Sequence, residues 1–319
     1  MPHLPHHDKL SGICIAMVVL LTMMTITAEA GTVSASYLYS LSDHAGDILY
    51  EGGKIFVDPE MNEAYVISNN TVTVFNRTGL EVYRFGENNN LGIIADLALM
   101  QNGNILLLSY SRDYRNYQVL LCNYRGEPTR AIEISGVPAG LGDFRPGHIA
   151  YYQGRIYLVD QVRLLAVIAD EHGQIERHYD IFRILNVKKK DRVNAQMDGF
   201  SLDRDGSMLF TLPVMFTACR LSLDEKMDCF GQPGGAKGRF NVISDIITDN
   251  RGNYLVADKL KSVVNIYDKE FTFLEAFGYR GAGPGNLTVP LRLGIDSRDR
   301  VYVVQSGRRG ISVFSLHYN

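Results

Sequence analysis

The chain has 319 residues, 46% hydrophobic and 21% charged, with 32 basic against 35 acidic side chains. This is an ordinary globular composition, long enough to bury a large core. It lacks the basic excess or stripe of a nucleic-acid binder, so no nucleic-acid partner is expected.

From the N-terminus, Gly12 to Ala28 is the only long uncharged apolar run, preceded by Lys9 and followed by Ala28-Glu29-Ala30. The small-x-small pattern after an apolar stretch reads as a signal peptide over residues 1–30. An uncleaved anchor stays open, because the leading region is weakly basic and the run approaches spanning length. Membrane contact is expected only in that case. Ile13 before Cys14 departs from the small residue of lipoprotein signals, so no lipid anchor is expected. Residues 31–319 are expected outside the cytoplasm, in the periplasm or the cell exterior.

The rest of the chain has 30 Gly, 18 Tyr and no Trp in the full count, with Asn/Asp/Gly clusters between short apolar runs. Such a pattern favours many strands joined by tight turns. Six stretches share one form, an apolar run, a polar turn and a second apolar run; they begin at Lys54, Asp96, His148, Gly199, Asp245 and Arg292. Taking Asp58, Met100, Tyr152, Asp203, Asp249 and Asp296 as equivalent gives intervals of 42, 52, 51, 46 and 47 residues. That period suits a four-stranded propeller blade, and the runs are too short for helices. A second hairpin follows each of the first five stretches, with Asn76 to Gly79 and Asn123 to Gly126 placing Asn first and a left-handed Gly last.

The sixth repeat has only three strands. Tyr37 to Ser42 resembles the outer-strand segments at Glu81 and Phe273, and it precedes the first blade. Pairing it with the last blade would remove an open edge. The expected fold is therefore all-β, a six-bladed β-propeller of four-stranded blades closed by its N-terminal strand.

Phe230-Gly-Gln-Pro-Gly-Gly-Ala-Lys-Gly-Arg-Phe240, and Phe277-Gly-Tyr-Arg-Gly-Ala-Gly-Pro-Gly-Asn-Leu287 with Pro290 after it, resemble the connectors of NHL repeats. Blades five and six carry this resemblance; the other four share only the framework. It implies an NHL-type propeller over residues 31–319 and speaks to fold rather than activity.

Equivalent positions on the first strand of each blade form rings around the propeller axis. Lys54, Asp96, His148, Gly199, Asp245 and Arg292 make such a ring, with Asp198 beside Gly199. One reading is a channel site in which Asp96, His148 and Asp245, with Asp198, ligate a divalent cation while Lys54 and Arg292 bind or balance an anion. The plainer reading, in which acids and bases neutralise one another in a wet channel, is preferred. Family resemblance also raises amidating lyases and lactonase or streptogramin-lyase propellers. Of His44, His148, His172, His178 and His317, only His148 falls in the ring, and His172 sits in a turn, so a three-histidine zinc centre is not expected. There is no haem-attachment motif, Gly-x-Ser-x-Gly or P-loop.

Cys219 and Cys229 lie symmetrically about Asp224 in the two outer strands of blade four, where a cross-strand disulfide could form. Cys122 ends an apolar strand and reads as a buried hydrophobe. Lys188, Lys189, Lys190 and Arg192 share one connector that serves either as a docking surface for an acidic partner or as a solvated loop. Ser109 to Asn116 similarly combines Tyr and Arg. The preferred function is a non-catalytic exported module that binds a protein partner or a small channel ligand. The alternatives are a metal-dependent lyase or hydrolase and an accessory of an extracytoplasmic cytochrome or respiratory system.

Overall fold

The structure, a computed structural model, describes residues 33–48, 53–86, 91–138, 141, 143–306 and 309–319. The signal or anchor expected over residues 1–30 lies outside the described residues. The rest builds six four-stranded antiparallel sheets arranged as a six-bladed β-propeller.

Strand β1 (Val33–Ser40) belongs to the last blade. Blade one is β2 (Lys54–Asp58), β3 (Glu63–Ser68), β4 (Thr71–Phe75) and β5 (Glu81–Phe85). Blade two is β6 (Ile93–Leu99), β7 (Ile105–Ser111), β8 (Asn116–Cys122) and β9 (Pro128–Ile132). Blade three is β10 (His148–Tyr152), β11 (Arg155–Asp160), β12 (Leu165–Asp170) and β13 (Ile175–Asp180), followed by the single helical turn α1 (Ile181–Ile184). Blade four is β14 (Phe200–Leu202), β15 (Met208–Leu212), β16 (Thr217–Leu221) and β17 (Met227–Phe230). Blade five is β18 (Ile243–Thr248), β19 (Tyr254–Asp258), β20 (Val263–Tyr267) and β21 (Phe273–Phe277). Blade six is β22 (Pro290–Ile295), β23 (Arg300–Gln305) and β24 (Ile311–Tyr318), completed by β1.

The inner strands β2, β6, β10, β14, β18 and β22 contact one another in sequence and close back from β22 to β2. Each inner strand runs from a connector face, where blades join, to a turn face. The turns between first and second strands and between third and fourth strands lie on the turn face; the loops between second and third strands return to the connector face.

Closure is made at the N-terminal strand. Val33 pairs with Tyr318, Ser36 with Ser315 and Ser40 with Ser312, with one bulge between Tyr37 and Tyr39. Leu41 continues the ladder through its amide to the Ile311 carbonyl at 3.0 Å. The expected strand was thus in the right blade but starts four residues earlier, at Val33. Apolar side chains at both ends of the segment fill the seam: Val33 packs in the cluster between blades five and six, and Leu41 in the one between blades six and one.

Local chemistry repeats with the blades. In the outer turns, Asn76, Asn123, Asp170 and Asp268 each use one side-chain oxygen to accept the amides two and four residues on. The fourth residue is left-handed, with φ of 85° at Gly79, 75° at Gly126 and 90° at Gly173. Such a side-chain clamp stabilises the turn enough that Phe271 holds φ 64° without a glycine. Between blades, each connector drops an apolar plug into the core, including Leu41, Leu91, Leu141, Phe240 and Leu287. The two glycine-rich connectors share one geometry: Pro233 bridges Phe240, and Arg280 bridges Leu287.

Cys219 lies opposite Cys229 in the β16–β17 register, Cα atoms 4.1 Å apart, and the two are joined by a disulfide.

Two stability measurements follow from this closure. Deleting residues 33–42 should expose the β24 edge and remove the burial of Val33 and Leu41, worth about 3–6 kcal/mol together; a lower melting temperature and aggregation on size exclusion are expected. Replacing both Cys219 and Cys229 by Ser should cost about 2–4 kcal/mol, read by chemical denaturation under oxidising conditions, whereas reductant should leave the double variant unchanged.

Candidate functional site

The ring residues stand where the inner strands begin, and β-bulges there aim several of them. Register shifts fall between Ile94 and Asp96, between Ile243 and Asp245, and between Pro290 and Arg292. A bulge rotates the following side chain out of the ordinary alternation. The ring then divides into two clusters.

Blades one to three supply the first. Asp96, only 2% exposed, lies 3.2 Å from Lys54 Nζ and 3.4 Å from His148 Nδ1, and its Oδ2 accepts the Ile149 amide at 3.0 Å. Lys54 also donates to the Gly147 carbonyl at 2.8 Å. Burial opposes charge on Asp96, but the Lys54 ammonium, His148 and the Ile149 amide together hold its carboxyl below the usual range. Burial first, then the Lys54 charge, push His148 down, so its imidazole is neutral at pH 7. With Nδ1 turned to Asp96 and Lys54, His148 Nε2 is buried and unpartnered, and so is Asp96 Oδ1.

Blades four to six supply the second. Asp198 pairs with Arg292 Nη2 at 2.9 Å and with Lys259 Nζ. Arg292 also donates to the Leu291 carbonyl at 2.8 Å. Asp245, 4% exposed, accepts the Leu293 amide through Oδ2 at 2.8 Å and the Ile246 amide through Oδ1 at 3.1 Å. Burial pushes its carboxyl up to about 6; Arg292 opposes this, and the nearby Asp198 charge adds to it.

The two clusters share one structural device. Asp96 of blade two grips the amide after His148 of blade three, and Asp245 of blade five grips the amide after Arg292 of blade six. Each carboxylate ties one inner strand to the next. Gly199, the uncharged member of the ring, is a packing requirement: a Cβ there would stand 2.5 Å from both the Asp245 Cα and the Ser244 carbonyl oxygen.

Below the ring a cavity of about 460 Å³ extends toward the turn face. Lys54, Asp96, His148, Asp245 and Arg292 line its charged end, Phe56, Leu97, Ile149 and Phe200 are among its walls, and Glu60, Gln101, Gln153 and Arg204 stand near the turns. The size suits a small organic ligand.

The structure gathers Asp96 and His148 but places Asp245 with Arg292 and Asp198. No group of three or more His, Cys, Asp or Glu side chains spaced to hold a metal occurs among the described residues. Lys259 was not anticipated; its only sequence signal is its place in the loop after the second strand of blade five. Lys188, Lys189 and Lys190 are exposed on the connector face, whereas Arg192 folds back to the Val187 carbonyl at 3.3 Å and over the Phe182 ring. His172 is exposed in its turn. Cys122 is buried and free, its thiol pushed up to about 12 by burial, which removes it as a nucleophile near neutral pH.

No protein-family profile matches the chain, and no curated protein does. Solved structures do. A streptogramin B lyase structure aligns with TM-score 0.59 at 10% identity, covering 90% of this chain and 98% of that one. The WD40 β-propeller domain of Doa1 aligns with TM-score 0.58 at 9% identity, covering 88% and 97%. An auxiliary nutrient-binding protein from Bacteroides ovatus aligns with TM-score 0.61 at 13% identity, covering 90% and 77%. At such identities the likeness is one of fold, and these three proteins do different things with it.

The electrostatics predict a signed pH dependence. Asp245 holds its proton to about pH 6 when folded against an ordinary value of 3.8, so the folded state binds more protons in between and stability falls as pH rises through that window. The full effect is on the order of 3 kcal/mol. Asp245→Asn keeps an acceptor for Leu293 without the charge and should flatten that slope in denaturation curves from pH 4 to 7. Asp96→Ala should instead destabilise at neutral pH by about 3–5 kcal/mol, since it strands Lys54 and the Ile149 amide; Asp96→Asn should cost less.

Proposed function

We propose that this chain is an exported, non-catalytic propeller that binds a small ligand in its central cavity. The observation that carries this reading is the pair of buried, unpartnered atoms, His148 Nε2 and Asp96 Oδ1, on residues lining a cavity of about 460 Å³. Unsatisfied polar atoms in a native interior are costly and mark places where a ligand or water completes the bonding. The walls favour an apolar body, and Asp96 Oδ1 favours a head group that donates hydrogen bonds. The cations of the ring are already engaged: Lys54 with Gly147 and Asp96, Arg292 with Asp198 and Leu291. Because those cations neutralise Asp96 and Asp198, two of the acids a metal would need, the pairing supports a binding role over the metal-dependent lyase or hydrolase.

Export is supported by the apolar segment from Gly12 to Ala28 and by the Cys219–Cys229 disulfide, a bond that persists in oxidising compartments. The matching geometry of the two glycine-rich connectors supports an NHL-type propeller.

The test is a thermal-shift and ligand-observed NMR screen of small aromatic and aliphatic amines, amides, alcohols and carboxylates against the wild type, His148→Gln and Phe200→Ala. Apolar amides, amines or alcohols should stabilise the wild type and lose most of that effect in both variants. Failure of every compound would overturn the cavity reading. Stoichiometric Mg²⁺, Ca²⁺ or Zn²⁺ retained on dialysis and lost in His148→Gln would replace it with the metal-dependent one.

A further inference from the structure

Successive loops of the chain go to opposite faces of the propeller, and charge is divided between those faces. Among the turn-face residues acids outnumber bases, with Asp58, Glu60, Glu171, Asp205, Asp224 and Glu270 all there. Among the described connector-face residues the balance reverses, with Arg112, Arg115, Arg145, Lys188, Lys189 and Lys190 exposed there. Arg112, Arg115 and the three lysines make no ion pair among the described residues.

Exposed apolar side chains stand on the same face. Val162, Val214 and Leu260 each lie two residues beyond the second strand of blades three, four and five, and are 52%, 61% and 58% exposed. Val193, beside the lysines, is 78% exposed. Two of these positions, Val162 and Leu260, are held by side-chain clamps. The buried Asp160 carboxylate accepts the Val162 and Arg163 amides, and the buried Asp258 carboxylate accepts the Leu260 and Lys261 amides. Neighbouring loops are cross-tied by the Met197 amide to the Gln161 carbonyl at 3.0 Å and by Lys259 to Asp198. An apolar set displayed by fixed turns loses little entropy when it is covered.

We propose that the connector face of blades three to five is a docking surface for an acidic protein segment carrying apolar side chains. Charge complementarity selects an acidic partner, and the fixed Val and Leu side chains select one with apolar groups of its own. The chain has no Trp, and the apolar positions on these three blades are mostly short β-branched side chains, a poor fit to a lipid interface, which favours Trp, Phe and Leu. A phosphate backbone would leave Val162, Val214 and Leu260 without counterparts. The proposal uses residues outside the cavity and stands independently of it.

The experiment uses a synthetic peptide alternating Glu with Leu and Phe, with a Glu-only peptide, anionic phosphatidylglycerol vesicles and duplex DNA as competitors, read by fluorescence anisotropy on the full chain. The mixed peptide should bind at low ionic strength and weaken with salt. It should lose about tenfold or more in affinity in the Lys188→Glu, Lys189→Glu, Lys190→Glu triple variant. Leu260→Ser should weaken it comparably, and Glu60→Lys on the opposite face should not. Unchanged thermal melting would show that each variant is folded. The proposal is overturned by absence of binding, by equal affinity for the Glu-only peptide, or by preference for vesicles or DNA. Salt-sensitive self-association that blocks the peptide would also overturn it, because a second copy would then be the occupant.

Discussion

A ring of blades holds only when its last blade is completed from the other end of the chain, and that constraint governs this molecule. Blades one to five each complete four strands from contiguous sequence, but blade six has only β22, β23 and β24 of its own. The β1–β24 ladder supplies the missing strand from the opposite end of the chain. The six repeats set the number of blades, strand pairing across the seam completes the last of them, and the number of blades fixes which inner-strand residues meet at the axis. The ring, the cavity beneath it and the division into two faces all depend on that closure.

The buried carboxylates on the ring show how far neighbours, rather than residue type, decide what a side chain does. Asp96 and Asp245 follow equivalent bulges and grip equivalent amides of the next blade. Lys54 and His148 adjoin the first, and its carboxyl stays ionised. The second has Arg292 on one side but the Asp198 charge nearby, and burial prevails, so it binds its proton far more readily. One architectural device thus yields a strong ion pair in one half of the ring and a titratable group in the other.

Much of this was legible in the sequence because the repeat is local. A hairpin announces itself within about a dozen residues, so the strands, the outer turns and the Cys219–Cys229 register could all be read from short windows. Closure was legible too, since Tyr37 to Ser42 resembles other outer strands. The site was legible only as a set of positions. That Asp96 meets Lys54 and His148 while Asp245 meets Arg292 depends on bulges and on which blade adjoins which. Nothing in the sequence explains the Gly at ring position 199, which is the place where Asp245 and Ser244 pack against the backbone. Lys259 reaches Asp198 from a loop 61 residues away.

The division of charge was hidden for a related reason. A four-stranded repeat reverses direction at every strand, so consecutive loops fall on opposite faces and a linear count mixes them. The formal net charge of −3 averages over faces of opposite sign, and it describes neither. Electrostatic attraction acts over about 8–10 Å at physiological salt, so an approaching molecule senses one face at a time. What a propeller attracts is accordingly set by the phase of its charges within the repeat, and Lys188 to Lys190 matter because the blade three to four connector that carries them returns to the face where Arg112, Arg115 and Arg145 already stand.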